Sequence, residues 1–135
     1  MRVEDREIFR FLEPRLASGD RLLALYLFGS EAKGRARPGS DVDLAFLSER
    51  ALDPVVVFDV AQDLAAALHC DVDLVDLPRA STVLRAQVIG GGRVLHAGDA
   101  RRVGEFEMDA LSDYARPNEE RARVMESFLE RYRVG

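Results

Sequence analysis

The stretch Leu27-Phe28-Gly29-Ser30-Glu31-Ala32-Lys33-Gly34-Arg35-Ala36-Arg37-Pro38-Gly39-Ser40-Asp41-Val42-Asp43-Leu44 decides the reading of this chain. It begins at the end of an apolar run, Leu22 to Phe28, whose length and flanking turn residues suit a strand buried on both faces. Gly29-Ser30 breaks the run. The stretch ends where a second apolar segment starts, and Asp41 to Leu47 reads as another strand. The ten residues between Ser30 and Asp41 hold Lys33, Arg35, Arg37, two glycines and Pro38, and read as a short helix followed by a loop.

Each end of the stretch carries chemistry. A glycine directly after a buried strand lets the backbone come close to a ligand. If a helix follows, its free N–H groups attract phosphate, and Ser30 adds a hydroxyl donor. Alone, Gly-Ser is a common turn pair. Asp41 and Asp43 alternate with Val42, so both side chains project to one face of their strand. Two carboxylates so placed repel unless a cation lies between them. An all-oxygen pair suits Mg²⁺, a hard ion that also binds substrate phosphates. Alone, Asp-x-Asp fits the polar outer face of a half-exposed strand better than a metal site.

A third acidic segment, Asp71-Val72-Asp73-Leu74-Val75-Asp76-Leu77, reads as a strand as well. Asp71 and Asp73 share one face, and Asp76 points to the other in a regular strand. Asp73, in mid-strand, is the candidate third ligand or base. Asp71 as a strand start and Asp76 as a strand end stay open as alternatives.

Working outward, Ile8, Phe9, Leu12 and Leu16 stand at helical spacing over Glu4 to Leu16, with Pro14 expected to kink or end that helix early. Pro54 opens a helix whose apolar spacing runs from Val56 to Leu68. Arg79 to Val88 predicts a short helix ended by Gly90-Gly91-Gly92, and Arg93 to His96 a short fourth strand. From Ala100 the pattern is helical, with Phe106, Leu111 and Tyr114 on one side. Beyond Pro117 a last helix is expected over Asn118 to Tyr132. The order predicts an α/β (α+β) fold, a small mixed β-sheet with flanking helices. His69, His96 and Cys70 have no ligand-spaced companions and read as structural. Tyr26 and Phe28 read as core.

Composition narrows the function classes. The 135 residues are 47% hydrophobic and 32% charged, ordinary for a globular protein of one domain. No apolar run reaches the roughly 18 residues of a membrane span, and the charged N-terminus leads into no signal-like stretch. A single cysteine excludes an internal disulfide, so a cytoplasmic location is expected. A net charge of −5 counts against a grip on a nucleic-acid backbone, which needs a basic face.

Gly-Ser, ten residues, then Asp-x-Asp resembles the signature of the DNA polymerase β-like nucleotidyltransferase superfamily. The quoted stretch, with Val72 to Leu77 and Leu84-Arg85-Ala86, resembles its minimal nucleotidyltransferase branch, typically the antitoxin of a HEPN toxin in a type VII toxin–antitoxin pair. The resemblance covers residues 20 to 98 well and the terminal helices only in general character. Lys33 departs from the arginine often found there, which keeps the charge and loses a planar fork.

The resemblance implies a polymerase β-like nucleotidyltransferase fold in one domain over residues 1–135, with a core of about 20–98 and C-terminal helices of about 100–133. It implies that Gly29 and Ser30 hold the β- and γ-phosphates of ATP; beside it, Lys33, Arg35 and Arg37 lie in the loop between the phosphate turn and the metal strand, and of these Lys33 and Arg37 are the candidates for meeting the triphosphate or pyrophosphate. Asp41, Asp43 and Asp73 would bind two Mg²⁺ ions, and Asp73 would also help deprotonate the attacking hydroxyl. The implied reaction is AMP transfer from ATP to a tyrosine of the cognate HEPN toxin, silencing its ribonuclease activity. Two other readings are carried beside it: a nucleotidyltransferase acting on a small molecule, and an antitoxin that works by binding alone. The apolar stripe of the last helix leaves a docked partner or a homo-oligomer open.

Overall fold

The computed structural model describes residues 3–16, 22–29 and 41–115, together with 126, 129 and 130. The expected short helix after Ser30 and nearly all of the last expected helix lie outside these residues.

Leu-Leu-Ala-Leu-Tyr-Leu-Phe has no polar side chain to offer water except the tyrosine hydroxyl. It forms β1 (Leu22–Phe28), buried on both faces as its composition demands. β2 (Val42–Ser48) pairs with it antiparallel, and β3 (Val72–Asp76) pairs parallel to β2. β4 (Arg93–Ala97) closes the other edge antiparallel to β1, giving the order β3-β2-β1-β4. The sheet is therefore mixed, as expected. A parallel pair needs a crossover, and α2 (Pro54–Leu68) supplies it between β2 and β3.

The two faces carry separate apolar layers. Leu25, Leu27, Val42, Leu44, Phe46 and Leu74 point to one, where Leu12 and Leu16 of α1 (Val3–Leu16) and Val60 and Leu64 of α2 cover them. Ala24, Tyr26, Ala45 and Leu47 point to the other, against Val88 of α3 (Thr82–Gly91) and Val103 of α4 (Ala100–Tyr114). The two layers account for the continuous burial of the central strands.

Several boundaries differ from expectation. α1 runs through Pro14 to Leu16. Only one intrahelical bond is lost so near the helix end, and buried Leu12 and Leu16 anchor the last turn. The Arg15 guanidinium also donates to the Phe11 carbonyl at 2.7 Å. α3 starts three residues later than expected. Ser81 caps it by accepting the Leu84 N–H at 3.1 Å, while Leu77–Arg79 forms a separate 3₁₀ turn. It also runs on through Gly90 and Gly91, and Gly92 is its C-cap.

Candidate active site

One end of the sheet collects the candidate residues, because the register of three strands converges there. β1 ends at Phe28, which pairs with Asp43. Asp43 in turn lies opposite Asp73 across the parallel ladder. Side-chain parity settles the face. Val42 and Leu44 enter the layer under α1 and α2, as do Val72 and Leu74. Asp43 and Asp73 therefore project together toward the opposite face. Asp41 directly precedes β2, exposed, and shares the parity of Asp43.

The alternatives for the third acid separate on the same geometry. Asp76 stands opposite Phe46, on the face away from Asp43, and pairs with Arg79 at 3.6 Å. Burial raises its pKa while Arg79 lowers it. Asp71 lies just before β3, where its carbonyl accepts the Val42 N–H at 2.9 Å. Asp73 is the one in register with Asp43.

The electrostatics agree with the register. The Asp43 carboxyl is pushed above the ordinary aspartate value, first by burial, then by the charge of Asp73, then by that of Asp41. Three acids thus bear on one point. Among the described residues no three acidic, histidine or cysteine side chains already stand at ligand spacing. The donor set is oxygen throughout, the chemistry a hard divalent ion takes, and in kind of donor the three acids fit Mg²⁺.

Gly29 closes the site from the β1 side. Its φ of 73° lies in the left-handed region. A Cβ built there would fall 2.3 Å from Asp43 Oδ2. Ser30, Lys33 and Arg37 lie outside the described residues.

Two side-chain links were not anticipated from sequence. The buried Tyr26 hydroxyl donates to Glu107 Oε1 at 2.6 Å, tying β1 to α4 on the face that carries Asp43. Arg93, at the start of β4, pairs with buried Asp5 of α1. The partners are 81 and 88 residues apart, so no local spacing signals either link. His96 stacks on Phe9 with ring centroids 4.1 Å apart, and His69 caps α2 in the left-handed conformation, both structural roles as expected.

The family model for polymerase beta, nucleotidyltransferase, matches residues 12–101, and the chain belongs to that family. At 35% identity over 127 residues it is similar to the protein adenylyltransferase MntA of Shewanella oneidensis, covering 94% of this chain and 88% of the relative. A crystal structure of a toxin–antitoxin with AMP-PNP matches at 35% identity and TM-score 0.78, over 94% of this chain and 99% of that one. A structure of the tri-AMPylated Shewanella oneidensis HEPN toxin in complex with MNT antitoxin matches at 33% identity and TM-score 0.70, over 94% and 97%. Among the described residues no helix is long and apolar enough to cross a membrane.

Proposed function

We propose that this chain is a protein adenylyltransferase that transfers AMP from ATP to a tyrosine of a cognate HEPN toxin, and so acts as its antitoxin. The observation that carries the reading is the ladder pairing of Asp43 with Asp73 beside the Gly29 turn. The relative named for protein adenylyltransfer and the complexes with AMP-PNP and with an AMPylated toxin support the choice of nucleotide and acceptor.

In this reading Asp41, Asp43 and Asp73 would hold two Mg²⁺ ions, which when bound would stabilise the negative charge on the entering and leaving oxygens. Gly29 and Ser30 hold the β- and γ-phosphates, and Lys33 and Arg37 meet the triphosphate or the departing pyrophosphate. Asp73 accepts the proton of the toxin's tyrosine hydroxyl. The phenolic oxygen bonds to the α-phosphorus as the bond to pyrophosphate breaks. Positioning and electrostatics carry the rate. The whole chain acts as one catalytic domain, and the protein meets ATP and its toxin in the cytoplasm.

The test uses purified chain, Mg²⁺, labelled ATP and the cognate toxin. Label is expected on a toxin tyrosine, and Asp41→Ala with Asp43→Ala should abolish it. An unlabelled toxin would refute protein adenylyltransfer. If the double variant silences the toxin as well as the wild type at equal expression, contact alone suffices and the catalytic account fails.

A further inference from the structure

We propose that Gly29 is a positioning residue for Asp43: its lack of a side chain clears the space that the metal-facing carboxylate occupies. The inference rests on the proposed metal site and gives this glycine a task separate from contact with phosphate.

Asp43 has little freedom to yield. Its backbone is fixed by pairing on both sides, to Phe28 in β1 and to Asp73 in β3. What remains is rotation about two side-chain bonds. A Cβ on Gly29 would stand 2.3 Å from Asp43 Oδ2, 3.3 Å from Cγ and 3.5 Å from Cβ. The first distance is far inside van der Waals contact, and the other two show the methyl lying along the Asp43 side chain on its Oδ2 side. Because a side-chain end yields before a paired backbone, the carboxylate would swing aside. The fold would survive while one arm of the acid pair left its position facing Asp73.

Two causes of a defect at residue 29 must be told apart, since its φ of 73° also disfavours side chains. Asparagine tolerates this backbone region and still carries a Cβ. Gly29→Asn therefore isolates the clash, and Gly29→Ala combines clash with backbone strain. The experiment measures Mn²⁺ binding without nucleotide, by the electron paramagnetic resonance of the free ion. Asp43→Ala serves as the reference for a lost site, and circular dichroism reports the fold. Both glycine variants should fold and bind Mn²⁺ about tenfold or more weakly than wild type, the scale at which displaced supporting groups affect metal affinity.

Wild-type Mn²⁺ affinity in folded Gly29→Asn would overturn the inference. So would failure of both variants to fold, which would make the glycine a requirement of the fold. If Gly29→Asn binds Mn²⁺ normally but loses ATP binding in the presence of a chelator, its task is the phosphate alone. If wild-type binding of Mn²⁺ does not depend on Asp43, the proposed metal site itself fails and this inference with it.

Discussion

Asp43 illustrates what one side chain costs and supplies. Its pKa is raised by burial and by two acidic neighbours, so folding favours its protonated form. That contribution to stability is complete below the unfolded value of 3.8 and is lost as pH rises through the higher folded value. Near neutral pH the ionised carboxylate therefore opposes folding unless a cation is bound. Asp43→Asn should raise the melting temperature in a chelator, while added Mg²⁺ should raise that of the wild type and leave the variant unmoved. Calorimetry in the two buffers checks this, and a lower melting temperature for the variant in chelator would contradict it. For the same reason Mg²⁺ binding to the metal-free chain should weaken as pH drops toward the raised Asp43 value, because a proton then competes with the ion for the carboxylate. A Mg²⁺ affinity that stays constant into the ordinary aspartate range would count against it.

Among the elements, those with continuous apolar runs or clear punctuation were readable in advance. Leu22–Phe28 could be recognised because burial on both faces leaves no room for alternation, and Pro54 marked the start of α2 because its ring suits a first helical turn. The acid pair was readable because strand parity follows from sequence alone. That β3 would lie beside β2 in register was not, since pairing between segments 30 residues apart is a tertiary fact. α3 starts at Thr82 and not at Arg79, because Ser81 supplies the cap that decides the boundary, a choice the apolar spacing does not reveal. Capping also gives a prediction for α2. Asp53 Oδ1 accepts the Val55 N–H at 2.9 Å. Asp53→Ala should cost about 1 kcal/mol, or about 4 °C in melting temperature, with AMP transfer at permissive temperature retained. Thermal denaturation beside the labelling assay measures both.

At the scale of the molecule, long-range polar links join the helices to the sheet. The Asp5–Arg93 pair holds the first turn of α1 to β4, with Asp5 only 4% exposed. Arg93→Ala leaves that carboxylate buried without its cation and should cost about 2–3 kcal/mol, at or below the lower end for a buried pair because Arg93 itself is partly exposed. Adding Asp5→Asn should recover part of the loss, as urea denaturation of single and double variants will report. An equal or greater loss in the double variant would mean that packing, not charge, governs the contact. The parallel alignment of β2 and β3 has a different consequence. The spacing of Asp43 and Asp73 is set by a single rung of the backbone ladder between neighbouring strands and owes little to α1, α3 and α4, laid over the two faces. Descendants of such a chain can exchange the outer helices, and with them the molecules they greet, while the reacting centre keeps its dimensions.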